Sequence, residues 1–310
     1  MSISSFWLTS ILLASNLAAP PAVGTVAWQA ALDRAGFSPG IIDGKAGPKM
    51  ELALRAFQSA RGLRVTGLQD DATRKALGVE KVPATTNYKI TAADAKMVQP
   101  PPKKWQDKAK RSRLGYRSLA DLVGERGHCT QALLAQLNPR KSLGKLKPGD
   151  VVVIPSVWSP NADPRAARLE VNLSTKTIRV LNKSNKVVAL LHCSIAKDKD
   201  KRPKGRAKVV SVSKNPDYLF DPKMWPEVKD VKKKLRIPPG PRNPVGLAWI
   251  GLSLPGYGIH GTPEPANIGK TGSHGCFRLT NWDAVRLSRM VKVGTPVEFV
   301  EAASSYAAQR

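Results

Sequence analysis

Two histidines and one cysteine fall within seventeen residues of this chain: His260, His274 and Cys276. Glycines stand beside them at Gly261 and Gly275. A free thiol has a pKa of about 8.5 and is mostly protonated near neutrality. A neighbouring imidazole can take that proton, giving a thiolate–imidazolium pair, and the thiolate can attack an amide carbonyl. The developing oxyanion needs donors, which backbone N–H groups in a glycine-rich turn around the nucleophile can supply. Gly275 lets the backbone approach a substrate closely and take a positive φ if needed. His274 lies two residues before Cys276, so on an extended segment both face the same way. His260 lies sixteen residues away and can come near only through the fold. Spacing alone leaves the choice of base open. Three such ligands could also bind zinc, but no fourth ligand has a recognisable spacing, and Glu264 is the only carboxylate inside the motif.

The elements that must position these residues read as a β-rich unit over about 166–301. Alternating apolar positions predict strands at 168–172, 177–181 and 187–191, the last two joined by the turn residues 182–185. Further strands are expected at 209–212, 248–252 and 295–300, with one helix from about Trp282 to Val291. Mostly strands with one late helix predicts a sandwich or barrel-like domain. Upstream, the polar, proline-bearing stretch 156–165 marks a boundary.

Residues 25–80 read as a small three-helix domain. Thr25 is expected to cap a first helix bearing Trp28, Leu32 and Ala35, which Gly36 stops. A second carries Ala53, Phe57 and Ala60 on one stripe, and a third begins at Asp70 or Asp71 and ends before Gly78. Gly36-Phe37, Asp43-Gly44, Gly47-Pro48, Phe57-Gln58, Gly62-Leu63, Thr66-Gly67 and Thr73 resemble the peptidoglycan-binding domain written PG-binding-1, with Met50 where that family commonly has threonine. Residues 87–157 read as an α+β module: a strand at Tyr88–Thr91, a helix with Leu119, Leu122 and Val123, a second helix capped by Thr130, then a turn into the strand Val151–Ile154. This pattern resembles a LysM module, interrupted by a basic insertion over about 97–115.

His-Gly-Thr at 260–262, followed by Ser-His-Gly-Cys-x-Arg at 273–278, resembles the L,D-transpeptidases, the YkuD-type catalytic domain. Arg202-Pro203-Lys204-Gly205, Asn243-Pro244-Val245-Gly246, Trp249-Ile250-Gly251 and Tyr257-Gly258 fall where that family has similar residues. The resemblance implies Cys276 as nucleophile and His260 as general base, its ring oriented by the Gly261 carbonyl. His274 would line the site, the Gly275 and Cys276 amides would face the oxyanion, and Ser273 and Arg278 would shape the pocket, Arg278 either attracting a substrate carboxylate or holding the active-site loop. The implied reaction forms peptidoglycan cross-links through a cysteine thioester on a tetrapeptide stem and releases D-Ala, without cofactor or metal. Carbapenem acylation of Cys276 would follow. Two other readings are an L,D-carboxypeptidase or cross-link hydrolase using the same cysteine, and a non-catalytic cell-wall-binding scaffold.

Fifty Lys and Arg face 23 Asp and Glu, a formal charge of +27. Such a surface must tolerate an anionic partner. Stem peptides and glycan, anionic wall polymers or a lipoprotein acceptor fit. The basic runs at 103–117 and 197–208 lack interleaved aromatics and the spacing of a nucleic-acid motif, so no nucleic acid is expected. Three cysteines make no disulfide framework; Cys129 and Cys193 could pair but read more readily as buried thiols. Residues 1–24 read as a signal peptide, with an apolar run from Phe6 to Ala19 and small residues at 22–24, although no Lys or Arg precedes Arg34. Export to the periplasm or cell wall, with no transmembrane span in the mature protein, is the expectation.

Overall fold

The computed structural model describes residues 21–158, 162–225, 228–270, 272 and 275–301. The apolar run at 6–19, Ser273 and His274 therefore lie outside the described residues. The chain forms a helical N-terminal region, a mixed middle unit and a curled sheet at the C-terminal end.

The described part of helix α1 is Pro21–Arg34. Thr25 therefore lies inside this helix and does not cap it. α2 (Pro48–Ala60) opens on proline, the residue whose fixed φ and missing N–H suit a first turn, and buries Met50, Ala53, Leu54, Ala56 and Phe57. α3 (Asp71–Leu77) is capped by Asp70, whose carboxylate accepts from Thr73 N at 2.8 Å, and ends at Gly78 in the left-handed region. Phe57 meets Phe37 edge-on at 5.4 Å. The buried Gln58 donates to Thr66 and Thr73 and accepts from Gly67 N, tying the loop between α2 and α3 to the core.

The middle unit runs β1 (Thr85–Lys89), α4 (Ala92–Lys96), α5 (Trp105–Ala109), α6 (Leu119–Arg126), α7 (Gln131–Leu137) and β2 (Val151–Pro155). β1 and β2 pair antiparallel, Thr85 opposite Pro155. Ser118 and Thr130 cap α6 and α7 through their hydroxyls. Leu122, Val123, Leu133, Leu134, Val152 and Ile154 close one core over the two strands. The first strand begins three residues earlier than expected. The basic segment between α4 and α6 is tied at its base, where Gln99 N and Tyr116 N bond to Tyr116 O and Met97 O, and it holds α5.

The C-terminal unit holds β3 (Arg168–Asn172), β4 (Thr177–Leu181), β5 (Val187–His192), β6 (Gly205–Lys214), β7 (Tyr218–Phe220), β8 (Leu235–Ile237), β9 (Ala248–Leu252), β10 (Gly258–His260), β11 (Phe277–Arg278), α8 (Asn281–Met290) and β12 (Pro296–Val300). Among the described residues eight strands form one sheet in the order β11-β10-β9-β6-β12-β3-β4-β5, while β7 and β8 form a separate hairpin. The expected sandwich is thus one continuous sheet curled over a shared core. Its corner is β6. Residues 205–208 pair with β12, residues 209–214 pair with β9, and the register shifts between Val209 and Ser211. Such an irregularity lets one strand serve two layers. The core inside includes Val171, Ile178, Leu191, Val209, Ile250, Ile259, Phe277, Leu287 and Phe299.

The helical region docks on β5: Ser38 N donates to Leu190 O at 2.8 Å, and Leu181, Val187 and Leu190 join the core around Phe57. Cys129 and Cys193 are free buried thiols in different cores. Burial pushes both up to about 12.

Candidate active site

Three short elements at one edge of the sheet build the site. β9 and β10 pair antiparallel, placing Trp249 opposite His260. β10 and β11 pair parallel, Ile259 with Phe277 and His260 with Arg278. Cys276 stands just before β11, its thiol between the Gly256 carbonyl and the Gly258 amide. Strand side chains alternate with period 2, so Gly258 and His260 share a face, and the Cys276 thiol comes up to the Gly258 amide. The sixteen-residue separation is closed by this pairing.

His260 is 6% exposed. Its Nδ1 lies 2.6 Å from the carbonyl of Gly261, which can only accept, so Nδ1 carries the proton and Nε2 keeps its lone pair. The Trp249 indole stacks on the imidazole at 5.5 Å and 19°. Burial lowers the imidazole to about 4; the Gly261 carbonyl opposes this and the Arg278 charge adds to it. The ring is therefore neutral near pH 7.

The Cys276 thiol donates to Gly256 O at 3.5 Å. Burial pushes it up, against the Gly258 amide and the Arg278 charge, which pull it down. A thiol held up beside an imidazole held down forms a neutral resting pair, unlike the ion pair that residue types alone suggest. Arg278 bonds through its backbone to Ser194 in both directions, at 2.8 and 3.0 Å, and its guanidinium donates to Gly272 O.

A Cβ at Gly275 would meet the Tyr257 ring at 3.7 Å, an ordinary contact. The demand for glycine falls instead on Gly246, at φ 66°, where a Cβ would sit 2.1 Å from Asn281 Oδ1 and 2.7 Å from the Gly261 backbone. Asn281 ties this corner together, accepting from Leu247 N and donating to Pro241 O and Glu125. Asn281, Ser194 and Tyr218 were not singled out from sequence. Only the polar first residue of α8 could have pointed to Asn281; Tyr218 carries no pattern. The structure brings His260, Gly261, Gly275, Cys276 and Arg278 together, and the other two candidates, Ser273 and His274, lie outside the described residues. Among the described residues no three His, Cys, Asp or Glu side chains converge as a metal would need.

A curled sheet with a cysteine and a buried, carbonyl-tethered imidazole at one edge defines a class of cysteine enzyme. Residues 166–299 match the family described as "L,D-transpeptidase catalytic domain", and residues 24–77 match "Putative peptidoglycan binding domain". The Bacillus licheniformis protein called "Putative L,D-transpeptidase YkuD" is 29% identical over 168 residues, covering 54% of this chain and 85% of that one. Its Bacillus subtilis counterpart is 31% identical over 166 residues, covering 54% and 84%. A solved structure described as "L,D-transpeptidase from Mycobacterium smegmatis" shares 18% identity over 48% of this chain and 65% of that chain, with a TM-score of 0.34. This chain belongs to the L,D-transpeptidase family and carries an N-terminal peptidoglycan-binding domain. It is an enzyme of that cysteine-dependent class.

Proposed function

We propose that the enzyme joins peptidoglycan stem peptides through a thioester on Cys276. The observation that supports this reading is the parallel pairing of β10 with β11, at whose start the Cys276 thiol meets the Gly256 carbonyl and the Gly258 amide, two residues before His260. His260 Nε2 accepts the thiol proton as sulfur attacks the carbonyl before a terminal D-Ala. The tetrahedral oxyanion faces the Gly275 and Cys276 amides. The carbon–nitrogen bond breaks, the leaving amine takes the proton from the imidazolium, and D-Ala departs. An acceptor amine then attacks the thioester and gives its proton to His260. The carbon–sulfur bond breaks, and sulfur recovers the proton. The Gly261 carbonyl fixes the tautomer throughout. The bond from Arg278 to Gly272 supports a role in holding the active-site loop.

The domain scheme fits this reading: residues 25–80 bind wall polymer, 87–157 form a LysM-like module, and 166–301 perform the chemistry. The antiparallel β1–β2 pair under two capped helices supports the LysM likeness. Such an enzyme works outside the cytoplasmic membrane, against the wall. Among the described residues no helix is long and apolar enough to cross a membrane.

The test is incubation with a disaccharide-tetrapeptide and mass spectrometry, with Cys276→Ala beside the native protein. We expect a cross-linked dimer lacking one D-Ala, and no product from the variant. Tripeptide alone would make water the acceptor; no thioester on Cys276 would end the catalytic reading.

A further inference from the structure

The basic segment of the middle unit reaches out to the catalytic unit. Its helix α5 lies across the β7–β8 hairpin. Trp105 stacks on Phe220 with centroids 4.2 Å apart and planes at 25°, and sits 5.8 Å from Trp225 and 6.4 Å from Tyr218. Beneath these rings Leu114, Phe220, Val231 and Ile237 are buried in a core of their own, separate from the other three. Gln106 donates to the carbonyl of Asp230 in the hairpin loop at 2.9 Å. At the hairpin root Leu114 N donates to Pro239 O and Arg242 N to Leu114 O. Gly240, at φ 136°, passes so near Leu114 that a Cβ would lie 2.2 Å from its carbonyl oxygen.

The hairpin needs this support. Each of its strands has three residues, paired only from Tyr218 opposite Ile237 to Phe220 opposite Leu235. A lone two-stranded ribbon is marginal in water, and packing against a helix stabilises it. The hairpin also borders the chemistry. It leaves the sheet after Lys214 of β6 and rejoins it through Leu247, next to the strand that pairs with His260. Tyr218 lies within electrostatic range of Cys276, and its hydroxyl accepts from Trp225 Nε1 at 2.9 Å. Contacts thus run from Trp105 through Phe220 and Trp225 to Tyr218, and Tyr218 in turn feels the charge of the thiol.

We propose that Trp105 is a positioning residue for the Cys276 cleft: by stacking on Phe220 and Trp225 it seats the β7–β8 hairpin beside the thiol, so that the middle unit sets the width of the substrate entrance. The effect on turnover rests on the reaction proposed above; the effect on access to the thiol does not.

The experiment uses the full chain with Trp105→Ala and Trp105→Phe. The rate of Cys276 alkylation by iodoacetamide is read by peptide mass spectrometry, with buried Cys129 and Cys193 as internal reporters of the fold. KM and kcat for the disaccharide-tetrapeptide are measured in parallel. With Trp105→Ala, Cys276 alkylation and KM each rise about threefold or more while kcat changes less. Trp105→Phe, which keeps a stacking ring, returns both toward the native values. Alkylation of Cys276 at the native rate in Trp105→Ala overturns the proposal. Should Cys129 and Cys193 react as well, that variant is unfolded, and Gln106→Ala, which removes only the exposed tether to Asp230, decides by the same criterion. If the native protein alkylates but never turns over, the reaction proposed above fails, and the alkylation ratio alone decides the role of Trp105.

Discussion

At Cys276 burial and local donors oppose each other, and burial is the larger effect, so the thiol sits above its ordinary value. At His260 burial acts the opposite way on a base, bringing it down to about 4. Both shifts disfavour charge, so the resting site holds S–H and a neutral imidazole whose free Nε2 waits for a proton. A preformed ion pair would stay reactive well into acid, because its thiolate persists there. The neutral pair predicts a different profile. Alkylation of Cys276 by iodoacetamide should climb with pH through the neutral range, close to tenfold per unit below the thiol pKa, with no plateau between about pH 5 and 7. A flat acidic plateau would show that the thiolate–imidazolium pair is the resting form.

The strands and helices that hold these residues depend on a few close backbone approaches. Gly246 lies in the turn before β9, packed on the Gly261 backbone and Asn281, so it fixes where the chain beyond His260 goes. Gly246→Ala asks a residue with a Cβ to hold φ 66° and to displace Asn281. The left-handed strain alone is worth about 1–3 kcal/mol. We expect a melting temperature lower by about 4 °C or more, with Cys276 acylation slowed in the folded fraction; an unchanged melting curve would show that the turn relaxes freely. The long elements were legible in the sequence: β3, β4, β5 and β12 show their period over five or six residues, and α8 and α2 show theirs over ten or more. β10, β11, β7 and β8 are two or three residues long, too short to display any period. Cys276 and His260 stood out by type and flanking glycines, but their approach depends on a parallel pairing that local pattern does not encode. Trp105 was illegible for a related reason. It sits in a run of cations, and its partners lie more than a hundred residues away.

All three units meet at one buried cluster of charge. Asp33 of α1 pairs with His128 of the middle unit at 2.9 Å and with Arg286 of α8 at 3.4 Å, while Arg286 also reaches Asp163 of the preceding linker. Asp283, one turn before Arg286, accepts from Ser38 of the N-terminal region at 2.9 Å. Two buried carboxyls share this cation, and they separate. Burial raises Asp33, but His128 and Arg286 outweigh that, so it ends below the usual carboxylate range and stays ionised. Burial first, then the Asp33 charge, raises Asp283 from 3.8 to about 6. The signs follow from proton linkage. Asp33 contributes stability above its unfolded pKa and loses it only as acid drives pH through its lowered folded value. Asp283 does the reverse: the folded chain binds its proton more tightly than the unfolded chain, so stability falls as pH rises from about 4 to about 6 and stays lower beyond. A shift of this size corresponds to roughly 3 kcal/mol. Asp283→Asn keeps an acceptor for Ser38 and removes the titration. Melting curves of both proteins at about pH 4.5 and pH 7.5 should show the variant gaining on the native chain as pH rises. An offset equal at both values would mean that Asp283 is already ionised at low pH and that Arg286 holds both carboxylates at once. The junction would then be locked by charge at every pH. With the gain observed, the three units of this wall enzyme are instead joined most firmly under mildly acidic conditions.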